Sequence, residues 1–102
     1  MDKPEFGRFS DPAILILASL AGGEKHGYAL MEDIKATSGV YLGPGTLYGA
    51  LSRLEQKKYI EALPADERRR PYRLTAQGSG FLRQYLTSLE KFVSFSLKRL
   101  EA

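Results

Sequence analysis

The chain has 102 residues, with 15 Lys+Arg against 12 Asp+Glu, one histidine and no cysteine. That length suits one domain, and 43% hydrophobic with 26% charged residues is a globular rather than a disordered composition. The lack of cysteine excludes a disulfide framework, a thiolate metal site and a cysteine nucleophile, and one histidine builds neither a histidine cluster nor an ordinary hydrolase relay.

No metal, no cofactor and no enzymatic activity are therefore expected. No apolar run approaches the roughly 18 residues of a membrane span. The Met-Asp-Lys-Pro-Glu start is too acidic for a signal peptide. A cytoplasmic chain without a membrane partner is the expectation.

Residues 1–10 carry Pro, Gly and charge without period and read as an N-terminal arm. Asp11-Pro12 opens a helix, Asp as the cap and Pro at the first position, and Gly22-Gly23 closes it. Ile14, Leu15, Leu17, Ala18, Leu20 and Ala21 make it apolar nearly all round, so it belongs in the centre of the core. A second helix runs from about Gly27 to Ser38, with Leu30, Ile34, Met31 and Tyr28 as candidates for its inner face and Gly39 as a left-handed stop. For Tyr28, packing and contact with backbone phosphate are both open. His26, at this helix's start, suits a cap or a phosphate neighbour better than a base.

Pro44 opens a third helix reaching about Lys57. Leu47, Ala50, Leu51 and Leu54 form its core stripe. At 100° per residue the opposite face carries Gly45, Gly49, Ser52 and Gln56, with Thr46 and Arg53 on one flank and Tyr48 on the other. Two outward glycines cost about 1 kcal/mol each relative to alanine. That cost suits a helix whose outer face must approach something closely, as in a major groove, the alternative being that the glycines relieve helix–helix crowding.

An alternating strand at Tyr59–Leu63, a polar turn over 64–71 and a second strand at Tyr72–Leu74 make a hairpin. From Arg53 to Arg73 there are seven cations (Arg53, Lys57, Lys58, Arg68, Arg69, Arg70, Arg73) against four anions (Glu55, Glu61, Asp66, Glu67), so the whole net charge of +3 sits there. An anionic partner such as a phosphate backbone and a merely solvated loop both fit that focus, as does pairing of the arginines with Asp66 and Glu67.

Thr75 caps a last helix from Ala76 to about Glu101, roughly 39 Å long at 1.5 Å per residue. Leu82, Leu86, Leu89, Val93 and Leu100 step by 4, 3, 4 and 7, with Ser96 at the skipped place. Phe81, Tyr85, Phe92 and Leu97 widen this heptad seam, which fits a partner helix from a second copy, the alternative being a helix folded back on its own domain. The fold expected is mainly α with a small β-hairpin: a winged helix-turn-helix over 11–75 followed by a long dimerisation helix over 76–102.

Three motifs in order, His26-Gly27-Tyr28-Ala29-Leu30, Gly45-Thr46-Leu47-Tyr48 with Leu51 and Arg53-Leu54-Glu55, and Tyr72-Arg73-Leu74-Thr75-x-x-Gly78, resemble the PadR family of bacterial transcriptional regulators. The match runs from about Ile14 to the start of the last helix. The resemblance implies a homodimeric winged-helix repressor of the compact kind with one short C-terminal helix, released from operator DNA by a small-molecule effector. Its third helix and wing would contact DNA, which carries over to Thr46, Tyr48, Ser52, Arg53 and the wing arginines Arg68, Arg69 and Arg70. Gly45, Gly49, Lys57 and Tyr28 join that set from their positions.

The dimer would use Leu82, Leu86, Leu89, Phe92, Val93 and Leu100. Where the family often has Pro after Leu-Tyr, this chain has Gly49. Some compact relatives hold flat aromatic drugs between tryptophans. This chain has no Trp, and Phe92 and Phe95 would stand in against an aromatic or lipophilic effector. The other reading is a ligand-binding or protein-interaction dimer on the same fold that does not bind an operator.

Overall fold

A computed structural model describes residues 11–65 and 70–102. The expected N-terminal arm and the positions of Arg68 and Arg69, with their Asp66 and Glu67 neighbours, lie outside the described residues. Four helices and a hairpin follow in the order α1 (Pro12–Ala21), α2 (Gly27–Ser38), α3 (Pro44–Gln56), β1 (Ile60–Ala62), β2 (Tyr72–Leu74) and α4 (Ala76–Glu101).

Local chemistry sets most boundaries. The Asp11 carboxylate accepts from the Ala13 amide at 3.0 Å, and Pro12 fills the first position of α1, where an amide hydrogen would have no helical partner. His26 Nδ1 accepts from the Ala29 amide at 3.4 Å and so is a cap. Gly39 ends α2 with φ 76°, a left-handed turn that glycine adopts without penalty. Thr75 Oγ1 accepts from the Gly78 amide at 3.0 Å and donates to the Lys58 carbonyl at 2.7 Å, which ties the start of α4 to the end of α3.

Helix α1 is the hub, packed against α2, α3, α4 and β2. Its Ile16 and Leu17 are fully buried with Leu30, Ile34, Leu47, Leu51 and Ile60. Ala18 and Ala21, expected inside, face solvent. Ser19 is the buried polar residue of α1, and its hydroxyl donates to Asp33 Oδ2 at 2.5 Å. The Lys25 ammonium donates to the Ser19 carbonyl at 2.5 Å, a cation on the carbonyl end of α1 where the helix dipole favours it.

The hairpin is antiparallel, pairing Ile60 with Leu74, Glu61 with Arg73 and Ala62 with Tyr72. Glu61 and Arg73 form a cross-strand ion pair, which raises the guanidinium pKa above its ordinary value. Strand β1 is shorter than the expected 59–63, although the Leu63 amide still reaches the Pro71 carbonyl at 2.8 Å. Sequence reading missed one connection: Lys25 and Tyr72 exchange backbone hydrogen bonds of 3.2 and 2.9 Å, which hangs the segment before α2 on the edge of the wing.

Helix α4 begins in the core and then leaves it. Gly78 is buried where a Cβ would collide with the Tyr59 carbonyl oxygen and lie 2.8 Å from its carbon, so only glycine permits this crossing. Phe81 stacks on Tyr59 at 4.7 Å between ring centroids. Leu82, expected in the intermolecular seam, is only 6% exposed and belongs to the core of its own domain. From Arg83 onward no α4 residue is buried. The projecting helix stretches the molecule to 56 × 32 × 20 Å, with a radius of gyration of 15.3 Å against about 13 Å for a compact chain of this size.

Candidate nucleic-acid interface

Helix α3 buries Leu47, Ala50, Leu51 and Leu54 and turns the opposite face to solvent, as the 100° arithmetic requires. A Cβ on Gly45 would meet nothing within 4 Å, and one on Gly49 would meet only Arg53 Nη1 at 3.6 Å. The glycines therefore relieve no helix crowding inside the domain, and they leave the leading face slim. Thr46, Ser52, Arg53 and Gln56 are exposed around them, and Lys57 and Lys58 follow at the helix end. Lys58 itself adopts φ 63°, turning the chain sharply into β1.

The remaining candidates fall on neighbouring elements. Tyr28, one of the residues considered for the inner face of α2, is 65% exposed on its first turn. Tyr48 is 51% exposed, and its ring lies over Gly27. Arg70 is exposed near the base of the wing, where Glu55, Ala62, Leu63, Pro64 and Ala65 line a cleft with it. Burial, chiefly, pushes the Tyr72 phenol above its ordinary pKa; Glu55 and Tyr48 add to this and Arg70 opposes it. Tyr41, unmarked by any periodicity, stands exposed in the link between α2 and α3 and joins the candidates. Its signal is that of an aromatic in a turn with no core stripe to serve.

A second surface lies along α4, where Leu86, Leu89, Phe92, Val93, Phe95, Leu97 and Leu100 are all exposed, Leu100 to 82%. Their angular positions divide them. Leu86, Leu89, Val93, Leu97 and Leu100 share one stripe, whereas Phe95 lies about 160° from its centre. The Arg99 guanidinium sits 4.2 Å from the Phe95 ring centroid. Phe92 and Phe95, three residues and about 60° apart, are neighbours on a face beside the stripe, with Phe92 the nearer to it. A cavity of about 320 Å³ between Ala21, Leu74, Leu82, Arg83, Leu86 and Glu90 adjoins the stripe at its core end. Among the described residues no cluster of His, Asp and Glu is arranged to hold a metal ion, and no helix is long and apolar enough to cross a membrane.

A glycine-fronted third helix, the helices α1 and α2 packed behind it and the antiparallel hairpin beside it define a winged helix-turn-helix protein. The model of the PadR-like family of transcriptional regulators matches residues 16–84, about two thirds of the chain, and the protein belongs to that family. An uncharacterized 37.1 kDa protein in transposon TN4556 of Streptomyces fradiae is 43% identical over 84 residues; these are 82% of this chain but 24% of that protein, so the chain spans about a quarter of its relative's length.

Among solved structures, a transcriptional regulator from Clostridium thermocellum superposes with a TM-score of 0.74 at 29% identity, over 85% of this chain and 87% of its own. A PadR family transcription regulator from Clostridium difficile gives 0.73 at 27% identity, over 89% and 98%. RosR of H. salinarum gives 0.73 at 28%, over 83% and 78%. The family and the two clostridial neighbours are transcriptional regulators.

Proposed function

We propose that the chain is a sequence-specific DNA-binding regulator, acting as a homodimeric repressor on a pseudo-palindromic operator. The observation that carries this is the open face of α3, where Gly45 and Gly49 leave room and Thr46, Ser52, Arg53 and Gln56 supply donors and acceptors. Such groups suit base edges in the major groove, and arginine suits guanine or phosphate. Lys57, Arg70, Arg68 and Arg69 would supply the phosphate attraction, with Tyr28 and Tyr41 at the margin.

The second copy is proposed to cover Leu86, Leu89, Val93, Leu97 and Leu100, with Phe92 at the edge. So much apolar surface on one stripe is unusual for a lone domain. Two reading heads would then enter successive major grooves about 34 Å apart. A small aromatic or lipophilic effector would act by binding one spacing of the heads more tightly than another. The cavity beside Leu82 and Leu86 has a size suited to such a molecule, and the neighbouring Phe92 and Phe95 are the other candidate contacts, beside a cleft lined by Phe95, Ser94 and Lys98. A DNA-binding chain of this kind works in the cytoplasm of its cell.

The test is selection of bound fragments from the source genome at several salt concentrations, repeated with Arg68, Arg69 and Arg70 changed to alanine. Enrichment of one pseudo-palindrome, weakened by salt and by the triple substitution, is the expected result. A well-folded dimer that enriches nothing at low salt refutes the proposal in favour of a ligand-binding or protein-interaction dimer.

A further inference from the structure

We infer that Tyr48 is a positioning residue: its ring, seated on Gly27, fixes the recognition helix against the start of α2 and the base of the wing, and its hydroxyl does not read DNA. The inference rests on the DNA-binding reading above for its consequence, but the packing on which it stands is independent of that reading.

Gly27 is the first residue of α2 and is buried. A Cβ placed there would collide with the Tyr48 hydroxyl and lie 2.9 Å from Cζ and 3.3 Å from Cε1. The phenol thus fills the space in which any other residue's side chain would begin. The backbone does not demand glycine here, because among the described residues the glycines with positive φ are Gly23 and Gly39. Alanine at 27 would be the better helix former. What alanine there would have to displace is the half-exposed Tyr48 ring.

The same contact closes a ring of elements. On α3, Tyr48 and Glu55 are seven residues apart and share the flank opposite Thr46 and Arg53. The Tyr72 phenol of β2 feels both Glu55 and Tyr48. Tyr72 is in turn joined through its backbone to Lys25, two residues before Gly27. Helix α3 thus meets the entry to α2 at the Tyr48 ring, and the wing is tied to that same entry through Tyr72 and Lys25. Simultaneous contact by the helix and the wing needs their separation held fixed, whereas contact by either alone does not.

The full chain is titrated with two duplexes of equal length, the one enriched by the selection and a scrambled one. Y48F is expected to bind the enriched duplex within about twofold of the wild type. A loss of about tenfold or more, the size of a lost hydrogen bond to a charged group, would show the hydroxyl reading DNA and overturn the inference. G27A, assayed at a temperature where it is folded, is expected to lose about fivefold or more on the enriched duplex and under about twofold on the scrambled one, as misaligned elements would. Equal weakening on both also overturns it.

Thermal unfolding supplies the arm that needs no DNA. G27A should lower the Tm beside Tyr48 and raise it in a Y48A background, where the ring is gone and only helix propensity remains. A fall in both backgrounds overturns the inference. If the wild type binds neither duplex, the DNA-binding reading has failed, and the reversal of sign still decides whether Tyr48 and Gly27 are partners.

Discussion

Three glycines show how differently one residue type is used. Gly78 lies against the Tyr59 backbone carbonyl, which cannot move aside without opening the hairpin. G78A is expected to cost about 1–3 kcal/mol or more, an overpacking penalty read as a fall in the urea midpoint. Gly45 faces open space, so G45A should instead gain up to about 1 kcal/mol by helix propensity in the same experiment. Gly49 is as tolerant sterically but faces the proposed groove. G49E would set a carboxylate one turn before Arg53, pairing with it and repelling phosphate. Operator binding should vanish in a gel-shift titration while sedimentation still reports the wild-type oligomer; unchanged affinity would remove α3 from the interface.

At the scale of the elements, what sequence made legible was local. Asp11, Gly39 and Thr75 announce helix ends because a cap involves residues two to four apart, and the leucine spacing of α3 assigns its faces without knowledge of the partner. Contacts that depend on the whole chain's path stayed hidden. Nothing near Lys25 marks it as a rung beside Tyr72, nothing near Tyr48 marks Gly27 as its seat, and no feature of the heptad separates Leu82 from Leu86. The seam is continuous in sequence, but the domain core takes in its first position and leaves the rest bare.

The wing gives a prediction at this same scale. Because burial above all raises the Tyr72 pKa in the fold, the unfolded chain releases that proton first as pH rises. The stability held by the neutral phenol is complete below the ordinary tyrosine pKa of about 10 and is lost as pH climbs through the higher folded value. Above a pH of about 10 the denaturation titration of the wild type should therefore decline relative to that of Y72F, which lacks that part of the decline; parallel curves would mean that Tyr72 does not titrate differently on folding.

For the whole molecule, the division of α4 at Leu82 separates two kinds of stability. L82A removes a side chain from the core and should cost about 2–5 kcal/mol at any protein concentration. L89D leaves that core untouched, because Leu89 is exposed in the single chain, and it puts a charge in the middle of the proposed seam. Its effect should depend on association: sedimentation should show a monomer whose Tm no longer rises with concentration, whereas the wild-type Tm should rise with it by mass action. The monomer should keep its helical signal up to Leu82 and fray beyond, since a helix end with no apolar partner has little tertiary packing to hold it. It should also bind operator far more weakly than the dimer, having one reading head where two share a rigid spacing. An L89D chain that still sediments as a dimer would place the association elsewhere, and the exposed stripe of α4 would then need a different occupant.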